Sequence, residues 1–306
     1  MIPHRVAVIF WLAVAAAPAA AAGGTAQPGE YIFRAAGCAV CHTDEKHHGA
    51  PLAGGRALTT PFGTFYTPNI TPDKETGIGT WSETEFKRAL REGVDDEGSN
   101  LYPAFPYTSY THLTDADIHA IWTYLSGRKP VHQVNKPHEL KWYVRFRPLL
   151  SIWKALYLKP GPFQPQPDQS ATWNRGAYLA TAVSHCGECH TPRTVLGGLR
   201  KELDCAGNPD GVDGTVVPNI TPDKPTGIGH WSQSDLADYL ETGMTPDGDY
   251  AGDLMADVID ASTSHLTGDD RMAIARYIFS LPAVENEIEH EAHRHKKKKE
   301  KKEDYE

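Results

Sequence analysis

The sequence predicts an all-α protein made of two similar domains in tandem. Residues 67–86 (TPNITPDKETGIGTWSETEF) match residues 217–236 (VPNITPDKPTGIGHWSQSDL) almost position for position, which indicates an internal repeat. Short amphipathic segments follow both copies, ETEFKRALREG and QSDLADYLETG, and each ends in Gly, as helices commonly do. We therefore assign the domains to residues 27–130 and 171–283, joined by a Pro-rich linker at residues 131–170.

Each half also opens and closes with a predicted helix. The opening segments GEYIFRAAG and GAYLATAVSH share a Gly and a Tyr, and both closing segments begin with HLT. Thr114 with Asp117, and Thr267 with Asp270, have the spacing of a helix capping box. We expect the aromatic face of each closing helix to pack on an opening helix.

Composition and the N-terminal residues narrow the function classes. The chain has 306 residues, 40% of them hydrophobic, and a formal charge of -9, which fits a globular protein and argues against nucleic acid as a partner. Residues 1–22 combine a basic start, an apolar run too short for a comfortable membrane span, and small residues suited to cleavage. We predict a signal peptide and export to the periplasm; an uncleaved anchor is the alternative.

Four of the five cysteines lie in two copies of one motif, CAVCH at 38–42 and CGECH at 186–190. C-x-x-C-H is the attachment pattern of haem c, in which two thiols one turn apart bind the vinyl groups and the His binds the iron. A redox dithiol or half a zinc site could explain a lone C-x-x-C, but two copies of the full motif argue against both. The pattern assigns haem attachment to Cys38, Cys41, Cys186 and Cys189, and proximal iron ligation to His42 and His190. Cys205 is left over, and we expect it to be an unpaired thiol.

Both halves resemble class I c-type cytochrome domains. The motifs CAVCHT, CGECHTPR, PNITPD-x-x-TGIG-x-W and LYPA-x-PY make residues 27–283 similar to the cytochrome c subunits of membrane-associated bacterial alcohol, gluconate and aldehyde dehydrogenases. The resemblance implies a periplasmic electron carrier with two covalently attached haem c groups and no catalytic residues of its own. It also implies a dehydrogenase as electron donor, an oxidase, a quinone or another cytochrome as acceptor, and peripheral association with the membrane.

The resemblance further implies contacts to the haem propionates. Asn69 and Asn219 in the PNITPD loops, and the indole N–H groups of Trp81 and Trp231, are the expected donors, because buried carboxylates need hydrogen bonds. A role in the turn and the core, without a haem contact, is the alternative for these residues.

In this family the sixth iron ligand is a Met late in the domain. Met255 lies 24 residues after Trp231, and we expect it to be the distal ligand of the second haem. Met244, at the end of the preceding helix, and Met272, on the polar side of the last helix, fit this role less well.

The first half has Phe105 where the family has this Met. Phe105 also lies 24 residues after a Trp, Trp81, and a phenyl ring cannot bind iron. An open or weakly ligated iron is the interpretation we favour. The alternatives are ligation by a nearby side chain, for which the candidates are His47, His48, His112, Tyr102 and Tyr107.

Two other interpretations of function stay open at this point. An open first haem could make the protein a haem enzyme acting on peroxide or sulfur compounds, or a sensor of small gases. The aromatic and basic centre of the linker could contact a membrane, although we favour a linker that packs over both domains. The tail at residues 284–306 carries His290, His293 and His295, which could bind a metal, but we expect a solvated, disordered segment.

Overall fold

The computed structural model describes residues 29–288. The signal peptide predicted at residues 1–22 and most of the predicted tail lie outside the described residues. In chain order the helices are α1 (Gly29–Ala35), α2 (Cys38–His42), α3 (Glu83–Glu92), α4 (Tyr107–Tyr110), α5 (Asp115–Ser126), α6 (Leu149–Tyr157), α7 (Ala171–Tyr178), α8 (Gly187–His190), α9 (Gln233–Thr242), α10 (Asp253–Ala261) and α11 (Gly268–Ile278). A π-helical turn, Leu179–Val183, continues α7.

The middle helices α3 and α9 begin and end where the sequence predicts. Ser82 accepts a hydrogen bond from the backbone N–H of Glu85, whose carboxylate accepts one in return, which completes a capping box. Ser232 starts α9 in the same way. Both helices stop at glycines in the left-handed region, Gly93 at φ 60° and Gly243 at φ 75°.

Opening and closing helices cross at glycines. A Cβ atom on Gly29 would lie 2.4 Å from a carbonyl oxygen of α5, and one on Gly176 would lie 1.8 Å from a carbonyl oxygen of α11. Only glycine allows such an approach of two backbones. Tyr124 of α5 packs its ring on Phe33 of α1, with centroids 4.8 Å apart, which confirms the predicted aromatic packing.

The prediction of an all-α chain is wrong for the first half, which contains a small antiparallel sheet. Strands β1 (Ala57–Thr60) and β2 (Gly63–Tyr66) form a hairpin, and β3 (Glu139–Leu140) of the linker adds to β2. Leu58, Phe65, Tyr102, Leu140 and Leu150 form a buried cluster beneath this sheet. In the described part of the second half, the corresponding region has only isolated bridges. The hairpin is therefore not part of the repeat, and the repeat could not predict it.

The two halves are joined by a tyrosine from each opening helix. The Tyr31 hydroxyl of α1 donates to Asp270 at 2.6 Å and accepts from the backbone N–H of Thr267 at 3.1 Å. Both partners lie at the start of α11, in the other half. Tyr31 of the first half thus completes the hydrogen bonding at the N-terminus of α11, a helix of the second half.

The same contact occurs in the opposite direction. Tyr178 of α7 donates its hydroxyl proton to Asp117 and accepts from the backbone N–H of Thr114 at 3.1 Å, at the start of α5. Because equivalent residues exchange equivalent bonds, the halves are related by an approximate two-fold arrangement.

Two segments outside the predicted domain bounds belong to the repeated unit. Val131 and Val284 accept hydrogen bonds from the PNITPD asparagines of their halves, at 2.8 Å in both cases. Asn286 then binds the backbone carbonyl of Ala206 at 2.9 Å. Val284 and Asn286, in the segment predicted as a tail, therefore pack against the second half.

Candidate haem sites

The two C-x-x-C-H motifs form one-turn helices. Cys38, Cys41 and His42 lie in α2, and Cys189 and His190 lie in α8 with Cys186 at its N-cap. Gly37 at φ 66° and His185 at φ 40° turn the chain into these helices. Residues three apart share a helix face, so each pair of thiols can reach the two vinyl groups of one porphyrin edge.

Both motif histidines are oriented by a proline carbonyl. His42 Nδ1 lies 2.7 Å from the Pro68 oxygen, and His190 Nδ1 lies 2.8 Å from the Pro218 oxygen. Burial lowers the pKa of both imidazoles, so each is neutral and donates its Nδ1 proton to the carbonyl. Nε2 is then the unprotonated nitrogen, which is the state an iron ligand needs. The residues present therefore fit haem c in both halves.

The thiols lie in apolar surroundings that suit a porphyrin edge. Burial raises the pKa of Cys38 to about 12 and that of Cys186 to about 11. The pKa of Cys189 rises to about 12, first through burial and then through repulsion from Cys41 of the other half. The Ser184 hydroxyl, just before the second motif, donates to the Ala35 carbonyl, just before the first, at 3.0 Å, so the two motifs lie near each other at the interface between the halves.

The asparagines of the PNITPD loops brace these loops. The Asn69 carboxamide donates to the Thr76 hydroxyl at 3.1 Å and the Val131 carbonyl at 2.8 Å, and it accepts from the Thr71 backbone at 2.9 Å. Asn219 makes the corresponding bonds. Because both N–H bonds of each amide are already engaged, the geometry favours the role in the turn and the core over a propionate contact.

The two tryptophans keep their indole donors free. Trp81 and Trp231 are partly buried and pack against the main hydrophobic core. Within residues 29–288 neither indole N–H has a hydrogen-bond partner, and a partly buried donor of this kind is suited to a propionate. A haem contact by these two residues therefore stays a prediction.

Met255 lies in the first turn of α10. The helix begins at Asp253, and the Met255 side chain packs against the main hydrophobic core. Met244 is 46% exposed and Met272 is 36% exposed, so neither is directed into the core. Of these methionines, Met255 is the one suited to a buried haem.

Phe105 belongs to an aromatic cluster beside the first attachment helix. Its ring centroid lies 5.6 Å from that of Tyr110 and 6.4 Å from that of Tyr107. The Tyr110 hydroxyl donates to the Ala36 carbonyl at 2.6 Å, just before α2. Burial raises the pKa of Tyr110 well above its usual value, and that of Tyr107 is raised by the same cause, so both phenols stay protonated.

The histidines considered as replacements for the missing Met have other surroundings. His112 Nδ1 lies 2.7 Å from the Gly161 carbonyl oxygen of the linker, which fixes its ring there. His47 is paired with Asp44 at 2.9 Å, and both His47 and His48 are exposed. These contacts favour an open or weakly ligated first iron.

The attachment helix of the second half holds the distal segment of the first. The Glu188 carboxylate of α8 accepts from the Thr108 hydroxyl at 2.7 Å and the Ser109 hydroxyl at 2.9 Å, close after Phe105 in sequence. Burial acts to raise the pKa of Glu188, but the charge of Arg193, which is 2.7 Å away, and the hydroxyl donors lower it overall. The carboxylate is therefore charged and firmly bound.

Arg56 of the first half contacts the distal segment of the second half. Its guanidinium donates to the Val40 carbonyl of α2 at 2.7 Å and pairs with Asp257 of α10 at 2.9 Å, two residues after Met255. Sequence reasoning missed Arg56 and Glu188. The available signal was the second variable position of the motif, which is Val40 in one copy and Glu188 in the other.

Cys205 takes the place that Leu52 has in the first half. Both residues have a left-handed backbone, with φ 58° and 62°. Both backbone N–H groups bind the Thr that follows the motif histidine, Thr191 at 2.9 Å and Thr43 at 3.1 Å. Cys205 is 6% exposed and unpaired, and burial raises the pKa of its thiol, so it serves as a small core residue.

The helical fold and the two attachment sites define a c-type cytochrome with two haem sites. The family model for cytochrome c matches residues 26–129. A diheme c-type cytochrome of Cereibacter sphaeroides is 43% identical over 265 residues, which cover 86% of this chain and 88% of that protein. The chain therefore belongs to the cytochrome c family, and it binds two haem c groups covalently.

Other relatives are larger proteins. The cytochrome c subunit of an alcohol dehydrogenase (quinone) from Gluconacetobacter polyoxogenes is 40% identical over 266 residues, covering 84% of this chain and 56% of the subunit. The gluconate 2-dehydrogenase cytochrome c subunit of Pantoea cypripedii is 40% identical over 265 residues, covering 83% and 59%. The chain thus spans little more than half of these subunits. From residue 29 to residue 288 no helix combines the length and apolarity that crossing a bilayer requires.

Proposed function

We propose that this protein is a periplasmic electron-transfer cytochrome that accepts electrons from a dehydrogenase and passes them to a respiratory acceptor. The observation that supports it best is the interface between the halves, where the segments that lead into the two attachment motifs are in contact. The Ser184 hydroxyl donates to the Ala35 carbonyl at 3.0 Å, and the Tyr110 hydroxyl, which binds the Ala36 carbonyl, lies 3.1 Å from His185. Because electron tunnelling weakens steeply with distance, two adjoining haem sites suit a relay.

The chain's own residues have distinct roles in this proposal. Two class I cytochrome c domains, at about residues 27–130 and 171–283, hold one haem each. The four motif cysteines fix the porphyrins, and Pro68 and Pro218 orient the imidazoles of His42 and His190. When bound, each haem supplies an iron that alternates between ferrous and ferric states.

The distal residues make the two sites unequal. Met255 would ligate the second iron, and a thioether ligand raises the reduction potential. Phe105 offers no ligating atom to the first iron, so we expect a lower potential there. The expected acceptor is an oxidase, a quinone or another cytochrome, and the signal peptide predicted at residues 1–22 supports export. The related dehydrogenase cytochrome subunits support a dehydrogenase as donor.

A catalytic role for the first haem finds less support. Its aromatic surroundings include Tyr107 and Tyr110, and the raised pKa of both makes them poor proton donors and acceptors near neutral pH. Peroxide or sulfur chemistry needs a group close to the iron that donates or accepts protons near neutral pH. We therefore favour the relay over the enzyme.

The test uses the purified holoprotein and membranes of the source bacterium. Ethanol or gluconate is supplied to the membranes, and reduction of the added cytochrome is followed optically. We expect one of these substrates to reduce both haems, with no sustained consumption of peroxide or thiosulfate by the pure protein. Sustained turnover of peroxide or thiosulfate, with no reduction by ethanol or gluconate, would refute the proposal.

Haem attachment is tested separately by mass spectrometry. The paired change Cys186→Ala and Cys189→Ala should leave the mass of one haem c on the chain. Cys205→Ala is the matched control and should retain two, because that thiol fills the core instead of binding a porphyrin.

A further inference from the structure

The linker helix α6 presents an apolar face to solvent. On this helix Leu149 is 49% exposed, Ile152 is 61% exposed and Leu156 is 62% exposed. Phe146 and Trp142, in the turns just before it, are 62% and 83% exposed. We call these five residues the α6 face. Single exposed apolar side chains are common, but a group along one helix is typical of a binding surface.

The α6 face is not the consequence of a loosely placed linker. Leu150, on the opposite side of the helix, is 8% exposed and belongs to the cluster beneath the sheet. Lys154 donates to the Gly93 carbonyl at 2.7 Å, and the Trp153 indole donates to the Leu196 carbonyl of the second half at 2.8 Å. The helix is thus fixed to both halves, with its apolar side preformed for a partner.

The charges around the α6 face define the partner. Residues 140–167 contain five basic residues and no acidic one, in a chain with a net charge of -9. Lys141, Arg145, Arg147 and Lys159 are exposed around the apolar side chains. A partner with carboxylates around an apolar centre would be attracted here and repelled by most of the remaining surface.

The inner side of α6 leads towards the first haem site. Trp153 contacts Tyr107 edge to face, with centroids 6.2 Å apart and the rings nearly perpendicular. Tyr107 in turn contacts Phe105 at 6.4 Å. A protein bound to the α6 face would therefore lie above a continuous aromatic path to the residue that replaces the distal ligand. This position favours a redox protein over a lipid surface as the occupant.

We propose that the α6 face is the docking site of a redox protein that has an apolar centre and an acidic rim and that exchanges electrons with the first haem. The inference rests on the proposed electron-transfer function. In the exchange, one electron leaves the ferrous haem and reduces the oxidised centre of the partner. Trp and Arg at the site match the composition of strong protein contacts.

The probe is plastocyanin, a soluble copper protein with an apolar patch and acidic residues. We would measure its dissociation constant with the full-length holoprotein by calorimetry, and the rate at which the ferrous protein reduces its Cu(II) to Cu(I). Ile152→Glu and Leu156→Glu should each weaken binding and slow the exchange by about tenfold or more, since a carboxylate would face acidic residues. Met244→Glu, at an exposed position in the second half, is the control and should change neither quantity.

Four outcomes are informative. Loss of binding and rate in the α6 variants, with unchanged oxidation by ferricyanide, supports the docking site. Equal binding and rate in all variants would refute it while leaving electron transfer itself intact. Binding of the wild type to phosphatidylglycerol vesicles, lost in Ile152→Glu without an effect on plastocyanin, would assign the face to lipid instead. Failure of the wild type to reduce either oxidant would reject the proposed function.

Discussion

The contact between Tyr178 and the start of α5 gives the sharpest prediction about stability. Tyr178→Phe removes a hydroxyl that donates to the Asp117 carboxylate and accepts from the Thr114 backbone N–H. A hydrogen bond to a charged group contributes about 1.5–3 kcal/mol and a neutral one about 1 kcal/mol. Since Tyr178 is 6% exposed, water cannot replace these bonds, and we expect a loss of about 2.5–4 kcal/mol in the free energy of unfolding.

The equivalent change in the other half should cost less. Asp270 keeps two bonds from Arg175, at 2.9 and 2.7 Å, when the Tyr31 hydroxyl is removed. We therefore expect a loss of about 1–2 kcal/mol for Tyr31→Phe. Tyr143→Phe is the control, because Tyr143 is 44% exposed and a surface change of this kind usually costs less than about 0.5 kcal/mol.

The assay is guanidinium unfolding of the holoprotein followed by circular dichroism. The order of stabilities should be control, Tyr31→Phe, then Tyr178→Phe, with similar denaturant slopes in all three. A Tyr178→Phe protein as stable as the control would show that the paired tyrosines do not hold the halves together.

Three further predictions follow from the same structure. Met255→Leu should abolish the far-red absorption band of a methionine-ligated ferric haem, whereas Met244→Leu should keep it; an unchanged Met255→Leu spectrum would exclude this ligand. Gly176→Ala should lower the free energy of unfolding by several kcal/mol or prevent folding, because its Cβ would lie 1.8 Å from a carbonyl oxygen. Gly268→Ala is the control and should be nearly neutral, because the space around Gly268 is open. Thermal unfolding measures both effects. Burial acts to raise the pKa of Asp270, but hydrogen bonds from Arg175 and Tyr31 lower this pKa overall. The Asp270 carboxylate should therefore contribute fully to the free energy of unfolding at neutral pH. That contribution should be lost as the pH falls below about 4 and through the lowered pKa. Asp270→Asn should flatten that acid limb, and an unchanged limb would contradict the reasoning.

Local signals in the sequence were sufficient for the repeated elements. Ser82 and Gly93 mark the two ends of α3 because capping depends on residues within a few positions of each other. The attachment motifs were equally local, and in the structure Nδ1 of each motif histidine lies at a proline carbonyl, which leaves Nε2 available. The hairpin of β1 and β2 was missed because it occurs in one half only, and a strand from the linker completes it.

The sequence could not predict the contacts between the halves. Tyr31 and Tyr178 were recognised as repeated residues, but nothing local shows that each binds the closing helix of the opposite half. Asn69 was expected at a propionate because the family resemblance implies such a contact and buried carboxylates need hydrogen-bond donors. Its partners include Val131, which is distant in sequence, so its hydrogen bonding could be counted only in the folded structure.

The measurement that tests the central claim most directly is the spin state and CO binding of the purified holoprotein, by EPR of the ferric form and optical spectra of the ferrous form. We predict one high-spin haem that binds CO and one low-spin haem that does not. Phe105→Met should convert the first haem to a low-spin form that refuses CO. Two low-spin haems in the wild type, both refusing CO, would contradict the account and show that another side chain ligates the first iron.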